Sequence, residues 1–197
     1  MAKTVGGKLM IIEDRQQAPL WKRAKVPERD YAAINNYRPE MWKLIKGHRT
    51  SFEQIVVEVG SRRGAFASGY LKHFDDDFLF CVDTWAGRRG QGDYLAWLRR
   101  VEPWLYDRCY PLHGESLFHA KVFPCMANVI FIDALHDYDN VKKDILAWYP
   151  LLVKGGLFLM HDYQQQGVKA AVDEIFPTVT TAYLGMQKAI TAWVIKE

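Results

Sequence analysis

The chain has 197 residues, of which 49% are apolar, 14% aromatic and 25% charged, a globular composition that excludes disordered and fibrous classes and fits a single domain. The formal charge of +3, from 26 Lys and Arg against 23 Asp and Glu, is too small to require nucleic acid as a partner. Three cysteines, Cys81, Cys109 and Cys125, form no CxxC pair, which argues against a disulfide framework or a zinc knuckle. No apolar run approaches the roughly 18 to 20 residues of a membrane span, and residues 1–7 do not read as a signal peptide. A cytoplasmic protein without a membrane partner is expected.

Residues 1–50 hold 11 Lys or Arg against 5 Asp or Glu, and Pro19, Pro27 and Pro39 divide them into short pieces. They read as a basic arm or cap, with a short strand at Lys8 to Glu13 and a helix near Glu40 to Lys46. The domain proper is expected over residues 51–197. From Ile55 onward, apolar runs end in glycine or an acidic residue: Ile55 to Gly60, Phe78 to Asp83, Val129 to Asp133 and Gly156 to Asp162. Runs of this length suit strands buried on both faces of a parallel sheet. Between them, Val141, Ile145, Trp148 and Leu152 share one helical face, as do Val168, Ala171, Val172 and Ile175. Thr191 to Glu197 reads as a closing strand with a weaker partner at Thr180 to Leu184. The fold class that follows is α/β, a doubly wound and mostly parallel Rossmann-like sheet with an antiparallel C-terminal strand.

The segment Val56 to Phe66, VVEVGSRRGAF, joins a strand to a helix through Gly60 and Gly64. Glycines at such a turn admit a ligand close to the backbone, and the helix start offers unpaired N–H groups. The GxGxxG of a dinucleotide site is absent, which opposes an NAD-dependent oxidoreductase. Asp83 ends the next strand, where its carboxylate would accept hydrogen bonds from two ribose hydroxyls, and Trp85 offers a wall for an adenine ring. The plainer alternative is that Glu58 and Asp83 only cap or solvate loops.

At these residues the chain resembles the class I S-adenosylmethionine-dependent methyltransferases. The resemblance runs from Val56 through Phe176. It rests on ExGxxxG at Glu58, Gly60 and Gly64, Asp83, GES at Gly114 to Ser116, FIDALHDYDNVKKDI at Phe131 to Ile145, the KGG of Leu151 to Tyr163, and GVKAAVDEIF at Gly167 to Phe176. It is similar to the branch of small-molecule O-methyltransferases acting on catechols and macrolide sugars, some of which carry a cephalosporin-hydroxylase label. The resemblance implies S-adenosylmethionine as cofactor, with Glu58, Gly60, Ser61 and Gly64 on its methionine and ribose side. It also implies Asp83 on the ribose, Trp85, Glu115 and Ser116 near the adenine, and Asp133 beside the donor.

Methyl transfer is an in-line displacement in which the protein aligns the acceptor and, for a weakly acidic hydroxyl, removes its proton. Asp133 with His136, and His161 with Asp162, follow neighbouring strands, so the four side chains are expected to converge. In the metal-dependent members that the chain resembles, the matching ligands are Asp133, His161 and Asp162, with His136 as base. Imidazole at 161 departs from the usual carboxylate, and a divalent ion softer than Mg²⁺ would suit it better. Two readings stay open: a divalent metal on those three residues, or a metal-free site in which His136 is the base and His161 orients the acceptor. Asp133 and Asp137 flank His136 and are expected to raise its basicity.

The stretch 85–110 reads either as a helix with an aromatic core face or as a lid-like insertion. In the second case Gly87, Gly90 and Gly92 make it mobile, and Arg88 and Arg89 grip an anionic acceptor. The expectation is therefore methyl transfer to a hydroxyl of a small, anionic or glycosylated acceptor, with a homo-oligomer compatible with the chain. The alternatives are a nucleic-acid methyltransferase, favoured by the basic arm and opposed by IDALHDY in place of an NPPY-type string, and a non-catalytic cofactor-binding protein.

Overall fold

Short β-branched and aromatic runs make the strands of this protein, and amphipathic segments between them make the helices. The structure, a computed structural model, describes residues 2–5, 8–11, 37–86, 90–185 and 189–197. Its strands are β1 (Ala2–Val5), β2 (Lys8–Ile11), β3 (Ile55–Val59), β4 (Phe78–Asp83), β5 (Cys109–His113), β6 (Ala127–Ile132), β7 (Leu152–Met160), β8 (Thr180–Tyr183) and β9 (Ile190–Ile195). The helices are α1 (Pro39–Gly47), α2 (Ala65–His73), α3 (Gly90–Val101), α4 (Ser116–Val122), α5 (Tyr138–Trp148) and α6 (Gln166–Ile175).

β1 and β2 pair antiparallel, and the rest of the basic arm up to residue 36 lies outside the described residues. The other seven strands form one sheet in the order β5-β4-β3-β6-β7-β9-β8. β5 through β7 are parallel, and β9 is antiparallel to both β7 and β8. Side chains of period two divide the core between the faces. Val57, Ile130 and Phe158 are in register and pack with Val141, Ile145, Trp148 and Val168 of α5 and α6. Val56 and Phe131 face the other way, toward Trp42, Phe66, Tyr70 and Trp97 of α1, α2 and α3. The result is a doubly wound α/β sheet whose strand order reverses between β3 and β6. Among the described residues no helix is long and apolar enough to cross a membrane.

Several boundaries differ from the sequence reading, each for a local reason. Leu152 is the first residue of β7 and not the end of a helical face. The Lys154-Gly155-Gly156 string lies inside β7, where the pairing with β6 shifts register and Gly155 takes φ +76°. Cys109–His113 and Ser116–Val122, which the sequence left without elements, are the edge strand β5 and helix α4. From Gly90 the stretch read either as a helix with an aromatic core face or as a lid is the helix that crosses from β4 to β5, with Trp97 and Val101 buried, as the first of those readings has it. That part belongs to the core and not to a mobile loop. A Cβ on Gly90 would lie 2.0 Å from the Trp85 carbonyl oxygen, so close backbone packing, not mobility, accounts for this glycine.

Candidate active site

Loops leaving β3 and β6 diverge at the strand-order reversal, the place where doubly wound sheets bind ligands. Gly60 and Gly64 take φ +94° and +75°, and the helix α2 begins after Gly64 with no side-chain cap. Its first N–H groups are therefore free of side-chain acceptors. The glycines are also demanded by the protein itself. A Cβ at Gly60 would lie 2.2 Å from the Asp133 carbonyl oxygen, and one at Gly64 would lie 2.9 Å from the Trp97 ring.

Asp83 stands at the end of β4. Its two oxygens accept hydrogen bonds from the backbone N–H groups of Arg62 and Trp85, both at 2.7 Å, which leaves each oxygen further lone-pair capacity. Glu58 is buried, and its Oε2 accepts from the Ser61 hydroxyl at 2.8 Å and the Cys81 thiol at 3.5 Å. Burial pushes its pKa well above the usual carboxylate range. Ser61 is thus tied to Glu58.

The three residues expected beside an adenine follow β4 and β5, whose ends are joined by the Gly114 N–H donating to the Asp83 carbonyl at 2.9 Å. Trp85 is buried against Tyr94, Trp97 and His113, with its indole N–H on the Arg62 carbonyl at 2.7 Å. Glu115 is exposed at the N-cap of α4. The Ser116 hydroxyl accepts from the buried Trp148 indole at 2.8 Å and also bonds Asp144, so it faces α5, because an indole N–H inside the protein needs an acceptor. Arg88 and Arg89 lie outside the described residues.

Asp133, His136, His161 and Asp162 do converge. Asp133 Oδ1 lies 3.2 Å from His161 Nδ1 and 3.6 Å from His136 Nε2. Asp162 lies 3.3 Å from His136 Nε2 and 3.5 Å from His161 Nδ1. Asp162 adopts φ +56°, and its carboxylate is held by the side-chain amides of Gln164 and Gln165 at 2.9 and 3.0 Å. Burial alone would raise Asp133 and lower His161, but their mutual hydrogen bond and those to His136 and Asp162 outweigh it. Asp133 falls below the usual range and His161 rises to about 10. His161 hydrogen bonding lowers Asp162 to about 2, and contact with Asp133, opposed by burial, raises His136. Two carboxylates thus hold a protonated His161 between them, with His136 at their rim.

Asp137 does not join this group: its carboxylate caps α5 through the Asn140 N–H at 3.1 Å. Asp162 takes the place that sequence proximity assigned to it. Donor atoms of Asp133, His136 and Asp162 lie within 4.8 Å of one another, and His161 Nδ1 faces the same two carboxylates.

Tyr37 is the residue that the sequence reading missed. It is buried, its hydroxyl donates to Asp133 Oδ2 at 3.2 Å, and its ring meets His161 edge-on. The contact spans 96 positions, and no spacing or motif announces it. Gly167 was likewise read only as part of a helix motif, yet a Cβ there would lie 2.4 Å from the His136 carbonyl oxygen.

Residues 57–163, more than half of the chain, match the family described as a methyltransferase domain. No curated protein matches. Among solved structures, an O-methyltransferase from Bacillus cereus in complex with SAH is 14% identical, with TM-score 0.62 and coverage of 85% of this chain and 86% of that one. A Staphylococcus aureus protein described as a caffeoyl-CoA O-methyltransferase is 18% identical, with TM-score 0.61 and coverage of 90% and 96%. An rRNA methylase from Streptococcus thermophilus is 13% identical, with TM-score 0.63 and coverage of 84% and 99%. These likenesses show the fold.

Proposed function

The chain belongs to the methyltransferase domain family and is an S-adenosylmethionine-dependent methyltransferase, and from that premise we propose that it methylates a hydroxyl of a small, anionic or glycosylated acceptor. The observation that carries this reading is the convergence of Asp133, His136, His161 and Asp162 at the carboxyl ends of β6 and β7. A hydroxyl needs a base, and carboxylates that orient an imidazole make one.

The residues present fit the cofactor. Remaining lone pairs on Asp83 suit ribose hydroxyls, and the uncapped start of α2 suits the carboxylate of the methionine portion. When bound, the cofactor supplies an electrophilic methyl group on a sulfonium. Glu58, Gly60, Ser61 and Gly64 would shape its methionine and ribose side, with Trp85, Glu115 and Ser116 toward the adenine. His136 presents Nε2 to both carboxylates, which leaves Nδ1 to take the acceptor proton, while Asp133 and Asp162 stabilise the resulting imidazolium. His161 bridges the two carboxylates and would orient the acceptor, and Arg88 and Arg89 would meet its anionic group.

The test combines methyl-labelled S-adenosylmethionine with a panel of phenols, diols and sugar nucleotides, followed by mass spectrometry. Methyl ethers are expected; products methylated only at nitrogen would overturn the hydroxyl reading. His136→Ala should lower turnover by about 10²- to 10⁴-fold with S-adenosylhomocysteine affinity unchanged in calorimetry. An undiminished rate would remove His136 from the chemistry.

The cluster of Asp133, His136 and Asp162 supports a second reading, in which these residues hold a divalent ion through two carboxylates and one imidazole. Such an ion would supply Lewis-acid stabilisation of the acceptor oxygen. Turnover lost in chelator and restored by Mn²⁺ or Co²⁺ would favour it; full turnover in chelator would favour His136 acting alone.

A further inference from the structure

The start of α1 enters the site from the opposite end of the fold. Tyr37 forms an antiparallel bridge with Gly185, and the Arg38 N–H donates to the Leu184 carbonyl at 2.8 Å, so the chain ahead of α1 is pinned to the end of β8. Tyr37 is only 4% exposed, ringed edge-on by Trp42, Phe66, Phe131 and His161. Packing of this kind needs no hydroxyl, and phenylalanine would fill the space. Yet the hydroxyl is spent on one oxygen of one carboxylate, Oδ2 of Asp133, while both imidazoles address the other oxygen, Oδ1. Burial and the neighbouring acids Asp133 and Glu58 push the phenol well above its usual pKa, so it remains a donor.

We propose that Tyr37 is a positioning residue of the methyl-transfer site: its hydroxyl fixes the rotation of the Asp133 carboxylate and reserves Oδ1 for His161 and His136. A carboxylate held at one oxygen has one orientation, and the imidazoles that depend on it inherit that orientation. This inference rests on the reading of His136 as the base.

The test is the single-atom change Tyr37→Phe in the full chain, followed by side-chain ¹⁵N–¹H spectra of the histidines and calorimetry with S-adenosylhomocysteine. The rings of His161 and His136 should shift. His136 is the diagnostic one, because Asp133 is the group through which Tyr37 reaches it. His48, bonded to the Leu44 carbonyl, should stay in place, thermal stability should change little, and cofactor affinity should hold. Unmoved His136 resonances would overturn the proposal and leave Tyr37 as core packing. A shift of His48 together with lost cofactor affinity would also overturn it, by showing that the hydroxyl supports the fold at large. Since the spectra need no acceptor, this outcome is independent of whether His136→Ala retains turnover, which tests the base itself.

Discussion

His136 can accept a proton only as neutral imidazole, so its raised pKa has a direct kinetic consequence. Contact with Asp133, partly opposed by burial, holds it above its ordinary 6.5. Measured in chelator, the rate of transfer should therefore rise with pH through a midpoint above 6.5. Asp162→Asn, which removes one of the two charges facing Nε2, should move that midpoint down. A pH profile that is flat from 6 to 9, or a midpoint unmoved by Asp162→Asn, would separate His136 from proton removal. On the cofactor side, Asp83 is already bonded by two backbone N–H groups, and its remaining lone pairs are the ones that a ribose would use. Asp83→Ala should weaken S-adenosylhomocysteine by about 1 to 3 kcal/mol through loss of charge-assisted hydrogen bonds, as read by calorimetry. Part of any loss belongs to the loops that Asp83 ties together, so a comparison with Asp83→Asn separates charge from connection.

Between elements, the loop 133–137 is gripped at both ends by glycines from other parts of the fold. Gly60 lets the turn after β3 lie against the Asp133 carbonyl, and Gly167 lets the start of α6 lie against the His136 carbonyl and the Tyr138 N–H. Neither contact leaves room for a methyl group, and backbone on the far side gives way less easily than a side chain. Gly167→Ala should therefore cost about 1 to 3 kcal/mol of stability and reduce turnover by tenfold or more, with S-adenosylhomocysteine affinity nearly unchanged. Thermal denaturation and steady-state kinetics check both halves. Gly60→Ala should differ, because the same residue belongs to the cofactor turn: affinity and turnover should fall together. The contrast between the two variants shows which side of the loop serves the cofactor.

At the scale of the molecule, the strand order places four titratable side chains from β6 and β7 at one edge, and their coupling links the site to stability. Despite burial, hydrogen bonds to Asp133 and Asp162 raise His161 from 6.5 to about 10, so its contribution is fully present below pH 6.5 and fades as pH rises toward 10. His161 hydrogen bonding lowers Asp162 from 3.8 to about 2, so its contribution is present above pH 3.8 and fades as pH falls toward 2. The stability difference between the wild type and His161→Gln should therefore be largest between about pH 4 and 6.5 and shrink toward pH 10. Denaturant titrations at pH 6 and pH 10 would show it. An equal difference at both would mean that His161 contributes through packing and not through charge.

Strands β3, β4, β6 and β7 were legible in the sequence because buried parallel strands are unbroken apolar runs, and their acidic or histidine ends marked the functional edge. The same physics hid β5, whose short segment Cys109–His113 contains a proline and a histidine and lies at the sheet edge. Asp133, His136, His161 and Asp162 were identified as a group from their places after neighbouring strands, since a parallel sheet presents all such ends on one side. Their pairing was not legible. Asp137 is adjacent to His136 in sequence but turns away to cap α5, while Asp162 reaches His136 from the next strand. Tyr37, and the grip of Gly60 and Gly167 on the loop 133–137, were decided by tertiary structure alone. Local sequence determines which segments become strands and helices through periodicity and turn chemistry, but contacts between residues 96 positions apart follow from how the completed layers close on one another.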